Sequence, residues 1–155
     1  MWLRRYGRGE GFAVAVLALA SDHHEHPWAV VLGTAVNQDG RSSGLTAPNG
    51  PAQTRLLAEV GAEEHLDLSV MALVAIHGTG TPLGDPIEAN ALGAALAGGR
   101  GMSRSRMAIG GVKSCYGHTE GTAGLSGAVM TRHLNSNTTR TLAGSIVVTF
   151  HEAHL

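Results

Sequence analysis

The chain has 155 residues, 43% of them apolar and 15% charged, with a net charge of −1. That length supports one domain with a buried core, and that balance excludes a disordered chain. No basic run marks a nucleic-acid surface, no apolar run is long enough to span a bilayer, and a single cysteine, Cys115, excludes an internal disulfide.

In chain order, residues 1–5 are basic and residues 12–19 are apolar, which together imitate a secretory signal. Glu10 and Gly7-Arg8-Gly9, standing before the apolar run, argue against it. The pattern predicts instead a loop over 6–11 and a strand over 12–19. A polar link follows with His23, His24 and His26. Residues 28–36 predict a second strand, and two apolar strands joined by a short link predict a hairpin. Residues 37–51 form a long Gly/Ser/Asn loop, a length that is usually functional or mobile inside a compact domain. Pro51 then suits the first turn of a helix with an apolar stripe at Leu56, Leu57 and Val60, and Gly61 is expected to stop it.

Residues 66–76 contain a third strand. Asp85, Pro86 and Glu88 read as cap, first position and capping box of a helix running through Leu92 and Leu96 to Gly98. A basic Gly/Ser loop over 99–106 leads to a fourth strand over 107–112. Thr119 or Glu120 opens a helix of small residues that lets another backbone approach closely. Residues 145–150 carry a weak signal for one more strand.

Two of these stretches share a layout. Apolar runs end near His77 and His118, and glycines, small hydroxyl residues and a helical pattern follow each. Ligands of open α/β sheets bind outside strand ends, so two such rims, each with an imidazole, can converge on one pocket. Gly110-Gly111-Val112-Lys113-Ser114 lacks the glycine spacing of a phosphate loop, and Gly78-Thr79-Gly80 lacks the third glycine of a dinucleotide loop.

Laid out in order, Tyr6-Gly7-Arg8-Gly9-Glu10-Gly11, the run from Gly33 to Gln53, the His77 to Asn90 stretch and Gly111 to Gly124 resemble the C-terminal half of a β-ketoacyl synthase domain from a type I modular polyketide or fatty-acid synthase. The likeness covers about residues 6–130. It implies an α/β, thiolase-like fold, of which this is the C-terminal half, a mixed sheet with helices packed on it. The chain is read as a ketosynthase-like domain over 1–130 and a divergent tail over 131–155.

The resemblance further implies decarboxylative Claisen condensation of a malonyl group on acyl carrier protein with an acyl group held on a cysteine. His77 and His118 are then the catalytic histidines, and Lys113 and Glu120 the charged pair supporting them. Thr79 and Thr81 contact the phosphopantetheine arm, which carries the substrate; no bound cofactor or metal is implied. Partners are acyl carrier protein, the N-terminal ketosynthase half and a second copy in a homodimer, in the cytoplasm or an organelle.

Three departures stand out. No nucleophilic-cysteine elbow matches in this chain, and Cys115, between Ser114 and Tyr116, reads as a small buried thiol. Ala75-Ile76 stands where the family has Glu-Ala. The Gly-Phe-Gly-type loop near the family's C-terminus has no counterpart. The chain alone is therefore expected to be inactive, because covalent acyl catalysis needs a nucleophile. Two rivals stand beside this reading. One is a non-catalytic module that complements an N-terminal half or binds acyl carrier protein. The other is a secreted metal binder built on His23, His24 and His26, although three histidines in one polar loop are more simply a solvated loop.

Overall fold

The computed structural model describes residues 6–19, 27–42, 44, 47–63, 65, 66, 68, 71, 73–97, 107–136 and 145–152. Among these run β1 (Val30–Gln38), α1 (Gly50–Glu63), β2 (Leu73–Ala75), α2 (Gly84–Ala97), β3 (Ala108–Gly110), α3 (Lys113–Tyr116), α4 (Ala123–Ser136) and β4 (Ser145–Glu152). A 3-10 turn at Glu120–Thr122 leads into α4. β1 pairs with β4 and β2 with β3, and both ladders are parallel. Parallel neighbours need a crossover between them, and helices supply it here.

The core lies between helices. α1 buries Ala52, Leu56 and Val60, one residue every four, and α2 answers with Ala91, Leu92 and Leu96. The two helices pack on each other, and α1 also packs on β1. Full burial of one such aliphatic side chain contributes about 1.5–3 kcal/mol. Asn49 starts α1: its Oδ1 accepts from Ala52 N at 3.1 Å, while its own N donates to Asp39 Oδ1 at 2.9 Å. Asparagine suits this place because its side chain takes a helix N–H that has no intrahelical partner. The same contacts tie the loop after β1 to the helix.

α4 packs on β2. A Cβ added at Gly127 would stand 3.7 Å from that of Ala75, so the small residues of this helix admit the strand closely. No described helix is long and apolar enough to cross a membrane.

Four expectations change. Residues 12–19 form no strand, and Phe12 and Val16 are more than nine-tenths exposed. Apolar patterning reports a preference for extended backbone, but a strand also needs a neighbour to accept its hydrogen bonds, and none of the described strands lies beside it. The hairpin is therefore replaced by the parallel pairing of β1 with β4. Gly61 does not stop α1, which continues to Glu63 with Leu68 packed where a Gly61 side chain would sit. The fourth strand is short, and β3 is exposed along its length rather than buried. The weak signal at 145–150, by contrast, is a strand, β4. His23, His24, His26 and the loop over 99–106 lie outside the described residues.

Candidate functional site

β2 and β3 are adjacent and parallel, so both chains leave the ladder at the same edge. The pairing extends one step past the strands, with Ile76 N donating to Gly110 O at 2.9 Å. His77 follows directly. The other chain turns through α3 and returns with His118. The two rings meet edge to face, with centroids 5.1 Å apart and planes at 83°.

The His77 loop is held by two acids of α2, Asp85 and Glu88. Glu88 accepts from His77 N at 2.5 Å and from Gly78 N at 2.9 Å. Asp85 Oδ1 accepts from Gly80 N and Thr81 N, each at 3.2 Å. Two carboxylates thus collect four loop amides, and Gly78 and Gly80 supply the positive φ angles that aim those amides inward. This corrects the capping-box reading. Glu88 does not reach back to its own helix start; the side chain that caps α2 is Thr81, whose Oγ1 accepts from Gly84 N at 3.1 Å. Glu88 also supplies local support for His77 from within the loop-helix unit, independently of Ala75 and Ile76.

His118 is buried. Its Nδ1 accepts from Glu120 N at 2.9 Å. A nitrogen that accepts from a backbone N–H carries no proton of its own, so the neutral ring holds its proton on Nε2. Burial, then the charge of Lys113, pushes the ring's pKa below its ordinary value, with Arg8 adding to this and Glu120 opposing it. The ring is therefore a neutral Nε2–H donor near pH 7.

Main chain fastens this turn to a remote segment. His118 N donates to Gly7 O at 2.7 Å, and Gly9 N to His118 O at 2.9 Å. The approach leaves no room for side chains: a Cβ on Gly9 would lie 2.0 Å from Tyr116 O, and one on Gly117 2.8 Å from Arg8 C. Tyr6 stacks on His118 with centroids 5.2 Å apart, and its hydroxyl donates to Glu120 Oε1 at 2.9 Å. Desolvation, then that hydrogen bond and the Glu120 charge, pushes the phenol's pKa up.

The remaining residues singled out from sequence fall as follows. Lys113 opens α3 rather than ending a buried strand, because β3 stops at Gly110. Burial pushes its ammonium pKa down, and Glu88 is the charge that opposes this. Lys113 and Glu120 form no ion pair with each other; each acts separately on His118. Thr79 and Thr81 share the His77 loop, their hydroxyl oxygens 3.4 Å apart. Cys115 is exposed rather than buried, since the four-residue α3 buries none of its side chains. Among the described residues no three His, Cys, Asp or Glu side chains gather as a metal site.

Tyr6, Asp85 and Glu88 are the site residues that sequence reasoning missed or misread. Asp85 and Glu88 were visible as acids after a glycine-rich loop, whose amides donate to them. Tyr6 stands in the Tyr6 to Gly11 stretch that carries the resemblance, but its contact with Glu120, 114 positions away, gave no signal.

A model of the family described as the C-terminal domain of β-ketoacyl synthases matches residues 28–139. Polyketide synthase GfsA of Streptomyces halstedii is 49% identical over 126 residues, 79% of this chain and 2% of that protein. The highly reducing polyketide synthase otaA of Aspergillus carbonarius is 44% identical over 144 residues, 90% of this chain and 6% of that protein. Among solved structures, the ketosynthase from module 6 of the bacillaene synthase of Bacillus subtilis 168 superposes with a TM-score of 0.67 at 28% identity, over 83% of this chain and 25% of that one. The oxazolomycin ketosynthase domain OzmH KS7 of Streptomyces albus JA3453 gives 0.62 at 38% identity, over 67% and 18%. The chain thus spans a few per cent of these curated relatives and no more than a quarter of these ketosynthase structures.

Proposed function

Because the chain belongs to the β-ketoacyl synthase family, as a C-terminal ketosynthase domain with a thiolase-like α/β fold of the kind found in polyketide synthases, we propose that it supplies the two-imidazole part of a decarboxylative condensation site. The substrate is a malonyl thioester delivered on the phosphopantetheine arm of acyl carrier protein. The bond between the α-carbon and the carboxylate breaks, CO₂ leaves, and the electron pair delocalises onto the thioester oxygen as an enolate. N–H donors from His118 Nε2 and from His77 meet that oxygen. The α-carbon then attacks the carbonyl of an acyl thioester on a cysteine, and the cysteine sulfur leaves as thiolate.

The observation that carries this reading is the perpendicular pair of rings, 5.1 Å apart, with His118 held as an Nε2–H donor. A donor preorganised toward developing charge is worth about 3 kcal/mol, roughly a hundredfold in rate. Burial, then the charge of Lys113, keeps His118 neutral, and the Glu120 amide fixes its unprotonated nitrogen. Thr79 and Thr81 contact the arm; their place on the His77 loop supports this. The nucleophilic cysteine comes from an N-terminal ketosynthase half, the working unit is a homodimer, and Cys115 takes no part. The reading calls for no bound cofactor.

The test combines the full chain with a cysteine-bearing N-terminal ketosynthase half and follows CO₂ release from malonyl-acyl carrier protein. His77→Ala and His118→Ala should each reduce release about a hundredfold or more. Undiminished release in both variants would sink the reading. A second reading, a non-catalytic assembly module, is favoured by the exposed Phe12, Val14, Val16, Leu17 and Leu19, which offer an apolar segment to another unit. Tight binding of the N-terminal half with no CO₂ release would select it.

A further inference from the structure

The Tyr6 strap has no part in the chemistry above, yet it closes over the histidine that does. Its phenol donates to one oxygen of Glu120, and its ring lies on His118. The other oxygen, Glu120 Oε2, stands 3.9 Å from His118 Nδ1, beyond hydrogen-bond reach. Nδ1 has one lone pair, and the Glu120 N–H already occupies it. Glu120 sits at φ +49°, in the left-handed region that residues other than glycine rarely enter, with its N–H aimed at the ring and its carboxylate beside it.

These two parts of Glu120 make opposite demands. The amide requires Nδ1 without a proton. The carboxylate, if it closed the remaining gap, would require Nδ1 with one. A neutral ring protonated on Nδ1 has no Nε2–H to offer an oxyanion. The titratable and charged groups facing His118 are Tyr6 and Arg8 from the strap, His77 from its loop, Lys113 from α3 and Glu120 from the following turn. Of the charges among them, Lys113 and Arg8 disfavour the protonated ring, and Glu120 alone favours it.

We propose that Tyr6 is a positioning residue: its hydroxyl holds the Glu120 carboxylate short of His118 Nδ1 and so keeps His118 in the Nε2–H form. This rests on the reading of His118 as an oxyanion donor, and it assigns Tyr6 a task separate from contact with substrate. The stacked ring contributes by restricting imidazole rotation.

The test uses the full chain labelled with ¹⁵N-histidine, with the His118 signals assigned by their loss in His118→Gln. In the unmodified chain, Nδ1 should show the shift of an unprotonated acceptor and Nε2 that of a protonated nitrogen. Tyr6→Phe keeps the ring and removes the hydroxyl. It should raise the His118 titration midpoint and move the proton of the neutral ring toward Nδ1. Adding Glu120→Gln to Tyr6→Phe should restore the Nε2–H pattern, which a merely structural role for Tyr6 would not do. A Tyr6→Phe spectrum and titration identical to the unmodified chain would overturn the proposal. So would an Nδ1–H ring in the unmodified chain. Glu120→Gln alone provides a second route if Tyr6→Phe fails to fold: the midpoint should fall, and an unchanged midpoint would overturn the proposal. These readouts need no turnover. If His118→Ala retains full CO₂ release while the spectra behave as expected, the condensation reading fails and the Tyr6 assignment stands.

Discussion

The His77 loop and the His118 turn leave neighbouring strands at one sheet edge, and they are held by opposite means. The first is clamped locally. Glu88 and Asp85 on the following helix take four of its amides, across gaps of 4 to 11 residues. The second is clamped from a distance, by backbone bonds to Gly7 and Gly9 and a side-chain contact from Tyr6. A local clamp assembles with its own helix. A remote clamp exists only once the chain has folded around it. The two imidazoles meet, but the hydrogen bonds that place them come from different segments, so each clamp can be disturbed and the other read beside it.

The largest effect is expected from Gly9→Ala. The new Cβ would overlap a backbone oxygen, so the strap must lift from the His118 turn. A loss of at least about 2 kcal/mol is expected. Hydrogen exchange should show lost protection at the Gly9 and His118 amides, with His77 and Gly78 unchanged. Loss at all four would mean that the two clamps are one cooperative unit.

Glu88→Ala attacks the other clamp. It leaves two N–H groups without their acceptor and removes the charge opposing burial of Lys113. Leaving a partly buried donor unmet costs about 1–3 kcal/mol. Denaturant melts should show that loss, and exchange should quicken at His77 and Gly78 but not at Gly9.

The smallest effect is the pH dependence that His118 brings. Its folded pKa is depressed, so the unfolded chain takes up this proton first as pH falls. Stability is therefore complete above the unfolded pKa, about 6.5, and declines as pH drops through the window down to the folded value. His118→Asn should flatten that part of the stability profile. Lys113→Gln, which removes a charge that depresses the pKa, should narrow the window by raising the His118 midpoint. An unchanged midpoint, measured by NMR titration, would separate Lys113 from His118.

The same division governs what was legible in advance. The His77 loop and the helices around Leu56 and Leu92 follow from short-range pattern, because the groups that hold them are close in the chain. The His118 turn and the faint strand at 145–150 also showed in local pattern, although the segments that hold them, Gly7 to Gly9 and β1, are remote. Glu88 was seen but misassigned. A carboxylate three residues after Asp85 has the form of a capping box, and only the loop's path shows that His77 and Gly78 take it instead. Residues 12–19 failed for the complementary reason. Their valines and leucines favour extended backbone, but the hydrogen bonds that make a strand belong to a neighbour, and no local pattern names it. Tyr6 is the extreme case, a residue whose task exists only through Glu120.

β1 illustrates one more outcome of distance. Its partner is β4, in a register that joins Val30 to Ser145. On a ribosome, β1 emerges long before that partner is made. At synthesis rates of ~5–20 residues per second, its edge stays open for on the order of ten seconds. Until then the nascent chain carries an unpaired row of amides and carbonyls, which another nascent chain can pair with as readily as β4. Expression yield should therefore depend on how far apart ribosomes travel along the message.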